Sequence, residues 1–542
     1  HSVTVAGLAA TFGSGAMTNS IDELEYTDLI LATGTNTTEN HPVIGMKVKR
    51  AVKQHGTKLI VIDPREIDLV KYADIWLRQN PGTDVAVFNG LMNVIIAEGL
   101  YAKEYVAERT EGFDALKAVV AKYTPAYVEK ISGVPAEDLK KAARMYAKAN
   151  RASIIYAMGI TQHITGTDNV KSTANLSMLC GNVGIEGGGV NPLRGQNNVQ
   201  GACDMGALPN VYPAYQQVAN EDIRKKFEAA WGAKLSGKPG LTLMEIMAGA
   251  GSGAIKALYV MGENPLLSDP DLHHVKKELQ KLDLMIVQDI FMTETAQIAD
   301  VVLPVAAFAE KEGTFTNTER RVQRVRKAIE SPGEAKTDWE VICGISNKMG
   351  YPMHYASAKE IFDEVTTVTP SYAGITYKRL DKEGLQWPCP TPEHKGTKFL
   401  HKDKFSRGLG LFTAIEFIPP DELPDKEYPF LLSTGRVLYH YHTGTMTTRA
   451  QGPSERCPES LVEINPADAE KLGISDGQLV KVTSRRGNVE AKARITTKSA
   501  PGSIFMNFHF AEAAVNLLTN PALDPIGKIP EYKVCAVKLA AA

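Results

Sequence analysis

One pattern occurs twice in this chain and restricts the fold more than any other feature. In the first copy, Asp28-Leu29-Ile30-Leu31-Ala32-Thr33 is a short apolar run that reads as a buried parallel strand. It ends in Gly34-Thr35-Asn36-Thr37-Thr38-Glu39-Asn40-His41-Pro42, and a helical pattern follows through Lys53. A second strand, Lys58 to Ile62, runs into Asp63-Pro64-Arg65. A third segment, Ala73-Asp74-Ile75-Trp76-Leu77, leads to Pro81-Gly82-Thr83-Asp84. In the second copy, Ala257 to Met261 is a strand closed by Gly262-Glu263-Asn264-Pro265. A helical stretch from about Asp271 to Leu279 follows, then the strand Leu284 to Gln288 with Asp289, then Ala299-Asp300-Val301-Val302-Leu303-Pro304. Gly34 and Asn36 answer to Gly262 and Asn264, Asp63 to Asp289, and Asp74 to Asp300. The interval from strand-end aspartate to Ala-Asp is the same in both copies, and the first interval differs by two residues. Strands alternating with helices imply βαβ units and a doubly wound sheet with its ligand crevice at the carboxyl ends of the strands.

Between the copies, residues 126 to 150 read as helical, with an amphipathic helix starting at Val134-Pro135-Ala136. Ser153 to Gly159 is a further strand, followed by Thr161-Gln162-His163 and a helix to Leu179 that Gly181 ends. Beyond residue 310 the polar run Glu312-Gly313-Thr314-Phe315-Thr316-Asn317-Thr318-Glu319-Arg320-Arg321-Val322-Gln323 is too regular to be filler. Prolines at 388, 390, 392, 419, 420 and 424 mark a boundary. From about residue 428 strands and turns dominate, with Arg486-Gly487-Asn488 as a hairpin turn and Asn465 to Gly473 as a short capped helix. The expected architecture is α/β: two related doubly wound domains that bind dinucleotides, residues 1–195 and 196–420, and a C-terminal β-barrel domain, residues 421–542.

At 542 residues the chain is long enough for about three or four domains. A net charge of -2 offers no global attraction to nucleic acid or a membrane surface. No run approaches the roughly 18 apolar residues of a membrane span. The six cysteines are widely separated and form no C-x-x-C pair, so the chain has no spacing for an iron–sulfur cluster or structural zinc. Unpaired cysteines suit a reducing compartment, here expected to be the cytoplasm. The first residue is His1 rather than Met, and the chain reads as a fragment that starts inside a domain.

The strand-end loops, rich in Gly, Asn and Thr and each followed by an Asp, suit nucleotide recognition through backbone N–H for phosphate and carboxylate for ribose or base. Neither copy has G-x-G-x-x-G, and no Walker A sequence exists. Residues 187 to 206 between the copies hold six glycines with Arg194, Gln196, Asn197, Asn198 and Gln200 among them. Such a stretch could be a polar linker. A lone arginine bracketed by glycine and amides points instead to a site, because its guanidinium fork matches a carboxylate or phosphate.

With these motifs assembled, the chain resembles, over essentially its whole length, the catalytic subunit of molybdenum- or tungsten-dependent formate dehydrogenases in the bis-molybdopterin guanine dinucleotide oxidoreductase superfamily. Asn191-Pro192-Leu193-Arg194-Gly195-Gln196-Asn197-Asn198-Val199-Gln200-Gly201 is the most specific motif. Glu312-Gly313-Thr314 with Asn317, Glu319-Arg320-Arg321 and Gln323 marks the superfamily more broadly. His1 to Leu8 resembles the segment directly after the selenocysteine or cysteine that ligates the metal. The resemblance implies two molybdopterin guanine dinucleotides, one per half, around one Mo or W with a terminal sulfido ligand, at which formate gives up a hydride equivalent and leaves as CO2. It gives Arg194 the formate carboxylate to clamp and His1 a proton to relay beside the metal, with Gln196 supporting them. No metal ligand is expected within the chain, its place being immediately before His1. A start at that point suggests a selenocysteine codon read as a stop.

For one dinucleotide the implied contacts are Gly34, Asn36, Asn40, Asp63, Pro64, Arg65, Gly82 and Asp84, with Met158, Gly159 and Gln162 near the pterin. For the other they are Gly262, Glu263, Asn264, Asp269, Gln288, Asp289 and Thr293. In the last domain, Thr434, Gly435, Arg436, His440 and His442 resemble the loop that closes on the pterins, as do Asn516, Tyr532 and Lys533. A [4Fe-4S] cluster is expected on a cysteine-rich N-terminal part that this chain lacks. Electrons would pass to iron–sulfur subunits and on to a hydrogenase or an NAD- or ferredoxin-reducing module, in anaerobic metabolism. Two other readings compete: a related molybdopterin oxidoreductase acting on another oxoanion, and a cofactor-free electron-transfer scaffold.

Overall fold

The computed structural model describes residues 1–542. They fall into two compact units, one of residues 1–195, 267–273 and 399–542, the other of residues 196–266 and 274–398. The first boundary follows residue 195. Residues 399–420, grouped above with the second α/β domain, pack within the first unit. Leu400 N donates to Thr18 O, and Gly410–Leu411 pairs in parallel with Thr110–Glu111.

The first unit holds a five-stranded parallel sheet in the order Ile75–Leu77, Lys58–Ile62, Leu29–Thr33, Ala152–Tyr156, Val190–Pro192. Leu29–Thr33 is buried at every position, which is why its sequence is continuously apolar rather than alternating. The chain leaves this strand to build one side of the sheet and returns to build the other. The switch point, where an open α/β sheet forms its crevice, therefore lies between Thr33 and Tyr156. The helix Pro42–His55 starts with proline at its first turn, buries Ile44, Val48 and Ala51 on one face, and stops at Gly56 in the left-handed conformation. Val190–Pro192 lies inside the stretch read above as a loop; it completes the sheet edge, with Asn191 Nδ2 donating to Ser153 Oγ at 2.8 Å.

Residues 430–541 form a closed barrel in the order Phe430–Gly435, Ser503–Asn507, Leu461–Ile464, Asn488–Ile495, Leu479–Thr483, Cys535–Ala541. Closure removes the free edges that an open sheet would present. Asn488–Ile495 shows the alternation expected of a barrel wall: Val489, Ala491 and Ala493 point in, and Glu490, Lys492 and Arg494 point out.

In the second unit, Val301–Pro304, Leu284–Asp289 and Ala257–Met261 form a parallel sheet in the order that the equivalent strands take in the first unit. The hydrogen bonds repeat as well. Asp74 Oδ2 accepts from Leu59 N at 2.9 Å, and Asp300 Oδ2 accepts from Met285 N at 2.7 Å. Gly34 N donates to Ile62 O, and Gly262 N to Gln288 O, both glycines having positive φ. The polar run after residue 310 is the hairpin Gly313–Thr316 with Arg321–Val325. At its turn Arg320 is fully buried and donates to the carbonyls of Trp387, Thr397 and Lys398. Thr316 N donates to Asn198 Oδ1 at 2.9 Å, tying the hairpin to the residues that follow Arg194. The carboxylate of Asp204 accepts from Gln200, Tyr215, Tyr372 and Trp387, which fixes the helix Val199–Asp204.

Candidate functional site

A cavity opens in the first unit at the switch point of its sheet. One wall comes from the turn after Leu29–Thr33: Gly34, Asn36, Asn40 and His41. Asp63, Pro64 and Arg65 follow the neighbouring strand, and Gln79, Gly82 and Asp84 the next. Met158, Gly159 and His163 come from beyond Tyr156, and Leu193 and Gly195 from either side of Arg194. Thr434, Gly435, Arg436, Phe505 and Lys533 close it from the barrel. Gly34 and Gly159 must be glycines here, because a Cβ on Gly34 would lie 2.6 Å from Ile160 N.

The lining is charged and under-satisfied. Asn36 Oδ1, Asn40 Oδ1, His41 Nδ1, Gln79 Oε1 and Arg436 Nε are all buried without a hydrogen-bond partner. Each such group costs about 1–3 kcal/mol until something pairs with it, so the lining is built for a polar ligand. Arg436 is buried without an ion-pair partner, and burial brings its pKa down to about 10. Lys533 donates to Thr434 O, and burial, reinforced by Arg436, pushes its pKa down to about 7. Asp63 is pushed up to about 6 by burial. Arg65 instead is neutralised by a two-pronged pair with Glu463 at 2.7 and 2.8 Å, and it stacks 3.9 Å over the Phe505 ring. Burial raises Asp84. For His163 burial works against the charged form, but Glu531 at 3.7 Å and Asp84 outweigh it and raise its pKa. Two incompletely matched cations facing a cleft of unpaired amides fit an anionic, heterocyclic dinucleotide.

Arg194 is buried beside this cavity. Its Nη2 donates to Gly15 O at 3.4 Å, and its own carbonyl receives His41 Nε2 at 2.8 Å. His1 begins the helix Ser2–Phe12, its carbonyl accepting from Val5 N at 3.0 Å, and Gly15 lies in the loop after that helix. Gln196 falls in the second unit.

Of the other expected residues, Gln162 donates its backbone N–H to Met158 O and accepts from Lys533 N. His440 donates from Nε2 to Cys457 O. His509 Nε2 accepts from Val437 N, so its Nδ1 carries the hydrogen donated to the carbonyl of His442. Burial takes His442 down to about 4 and His509 to about 3, leaving both neutral. Asn516 donates to the carbonyls of Leu267 and Ser268, and Tyr532 OH to Ser268 O, gathering both around Asp269. Asp269, assigned above to the second dinucleotide, belongs to the first unit.

The other residues named with it lie at the strand ends of the second unit, and three of them are hydrogen-bonded to neighbours outside that set. Asn264 Oδ1 accepts from Thr295 and its Nδ2 donates to Glu294; Gln288 receives Tyr259 OH and donates to Asp338; Thr293 Oγ1 accepts from Ala296 N. Gly262 has open space before it, and Glu263 and Asp289 flank the same strand ends.

Sequence reasoning missed His41, Gln79 and His163. His41 and His163 stand inside quoted stretches, His41 directly before the proline that starts a helix, but nothing in those stretches marked either side chain for a role.

The fold and the cavity define a dinucleotide-binding α/β enzyme capped by a β-barrel, and the chain belongs to the molybdopterin oxidoreductase family. Residues 4–348 match the family described as Molybdopterin oxidoreductase, and residues 430–536 match the Molydopterin dinucleotide binding domain. It is therefore an oxidoreductase whose cofactor is a molybdopterin with Mo or W. The chain is 56% identical over 543 residues to "F420-dependent formate dehydrogenase subunit alpha" of Methanocaldococcus jannaschii, covering 99% of this chain and 80% of that one. It is 44% identical over 547 residues to "Formate dehydrogenase H" of Escherichia coli, covering 99% and 76%. The solved structure of acetylene hydratase from Pelobacter acetylenicus superposes with a TM-score of 0.78 over 100% of this chain and 81% of that one; at 22% identity this likeness concerns the fold. No helix is long and apolar enough to cross a membrane, and no cluster of three or more His, Cys, Asp or Glu could hold a metal ion.

Proposed function

We propose that the chain is the catalytic subunit of a formate dehydrogenase, interconverting formate with CO2, two electrons and a proton. The observation that carries this reading is Arg194. It is a buried guanidinium beside the cofactor cavity, in a chain 99% of which aligns with formate dehydrogenase subunits. The bound molybdopterin with its metal and sulfido ligand would supply the two-electron redox chemistry.

The residues of the chain do the rest. Arg194 holds the formate carboxylate through two parallel N–H···O bonds, fixing the C–H bond toward the cofactor and replacing water around the charge. His1, beside the expected position of the metal ligand, receives the proton released when formate becomes CO2, and Gln196 supports the clamp. Arg436 and Lys533 meet the anionic groups of one dinucleotide, and Asn36, Asn40 and Gln79 pair with its polar edges. Gly262, Glu263, Asn264, Gln288, Asp289 and Thr293 serve the second dinucleotide. Electrons leave through a [4Fe-4S] cluster and iron–sulfur partner subunits. The relatives named as F420-dependent, 51–56% identical, support F420 as the final acceptor.

The unpaired polar atoms of the cavity favour this over a cofactor-free scaffold, which would have no use for them. The test is formate-dependent viologen reduction by the holoenzyme, with CO2 measured as product. A loaded enzyme inert toward formate but active on another oxoanion would overturn the reading.

A further inference from the structure

We propose that His41 is a positioning residue that couples the group held in the first-unit cavity to Arg194 through opposite sides of one imidazole ring. This rests on the reading of Arg194 as the formate clamp. A backbone carbonyl can only accept a hydrogen bond, so the 2.8 Å contact of His41 Nε2 with Arg194 O places the ring hydrogen on Nε2. The neutral ring then carries a bare lone pair on Nδ1. That atom is buried without a partner, on a side chain that lines the cavity.

The charged alternative, with hydrogens on both nitrogens, is disfavoured by burial and by Arg436, which bring the pKa down to about 4. His41 therefore offers the cavity a fixed acceptor, and the bound group must present an N–H or O–H donor to it, as an aminopyrimidinone ring or a ribose does.

The backbone that carries the ring is held firmly. His41 N donates to Thr37 O at 2.9 Å, its carbonyl accepts from Gly45 N at 2.8 Å, and Pro42 follows it at the first turn of the helix. Gly195, next to Arg194, leaves room for the Arg436 guanidinium, which lies where a Cβ would stand. The carbonyl of Arg194 is thus held by His41, which lines the cavity together with Arg436. Occupying the cavity completes the hydrogen bonding of His41 and, through Nε2, fixes the carbonyl of the residue whose guanidinium holds substrate.

Two substitutions separate the two sides of the ring. His41→Asn keeps a short acceptor near the Nδ1 position and cannot reach Arg194 O. His41→Gln places an amide N–H near the Nε2 position and gives up the Nδ1 acceptor. Each holoenzyme is purified and assayed for Mo or W and for guanine nucleotide released by acid, for the KM and kcat of formate oxidation, and for thermal unfolding.

His41→Asn is expected to keep its cofactor within about twofold and to raise the formate KM by about tenfold, the size of one lost hydrogen bond. His41→Gln is expected to keep a near-native KM and to lose cofactor severalfold. Any result in which KM and cofactor content fail to separate between the two variants overturns the coupling. If neither variant folds, 15N spectra of the histidine-labelled wild-type holoenzyme decide. Nδ1 of His41 must be an unprotonated nitrogen accepting a hydrogen bond, and a protonated or unbonded Nδ1 overturns the proposal. Should the wild type not oxidise formate, the reading of Arg194 falls on its own, and the cofactor contents of the two variants still judge the role of His41.

Discussion

Gly159 donates its backbone N–H to the carbonyl of Gly34 at 2.9 Å, so the turns ending two neighbouring parallel strands meet with no side chain between them. A Cβ on Gly159 would stand 2.5 Å from both Cα and O of Gly34. Backbone would have to move, and it is the backbone that forms the cavity floor. Gly159→Ala should destabilise the chain by about 1–3 kcal/mol and lower the cofactor recovered per chain. Gly344→Ala is the control: it lies in the helix Asp338–Lys348 with nothing within 4 Å of the added carbon, and it should be neutral or slightly stabilising. Thermal unfolding and metal analysis of both variants check the contrast.

Arg194→Lys should leave metal and pterin in place and reduce formate turnover by about a hundredfold, because a point charge cannot reproduce a planar fork and small misplacements are costly. Viologen reduction, normalised to metal content, measures it. Near-native activity would remove Arg194 from the clamp role.

Glu463 and Arg65 are both largely buried, so removing the carboxylate strands a buried cation. Glu463→Gln should cost about 3–5 kcal/mol in urea unfolding of the cofactor-free chain. The double variant Arg65→Met with Glu463→Leu should recover most of that loss, since an apolar pair of similar bulk pays no desolvation. Recovery of stability without recovery of cofactor binding would separate the structural role of the pair from its place in the cavity.

Lys533 has a folded pKa near 7 against an unfolded value of about 10.4. Between these values the unfolded chain holds a proton that the folded chain does not, so stability rises as pH goes from about 7 to 10. Below about 7 both states are protonated, and the penalty for burying the charge is present in full. Lys533→Met should therefore be more stable than wild type at pH 7 and should flatten this part of the stability curve in the cofactor-free chain. Denaturant unfolding across pH 6.5–10 provides the test, and parallel curves for the two proteins would refute it.

Much of this architecture was legible in the sequence. The duplicated pattern carried through to hydrogen bonds: Asp74 and Asp300, matched by spacing alone, each bind the backbone of the preceding strand at the equivalent residue. The apolar runs before Gly34 and Gly262 became parallel strands, as did the run from Ser153, which stops at Tyr156 because Met158–Thr161 turns into a short helix, and the alternation of residues 488–495 became a barrel wall. Periodicity did not reveal the return of residues 399–420 to the first unit, because that segment is held by a two-residue strand pairing, single backbone bonds such as Leu400 to Thr18, and the isolated buried aromatics Phe405 and Phe412. His41 escaped for a similar reason. Its importance comes from a carbonyl far away in sequence, at Arg194, and from an unfilled nitrogen, and neither leaves a mark in composition or spacing. The side chains of Asn516 and Tyr532, singled out for the pterins, bond to the carbonyls of Leu267 and Ser268, contacts that no local sequence pattern announces.

The two copies of the strand pattern differ in how they treat their own polar groups. Asn264 and Gln288 at the strand ends of the second copy are hydrogen-bonded to Thr295 and Asp338, whereas the turn after Leu29–Thr33 leaves several buried atoms unpaired. The first half is therefore the one whose folding is incomplete on its own terms. In the cell it should depend on delivery of the molybdenum- or tungsten-bearing cofactor, and proteases should attack it more readily in a culture starved of that metal.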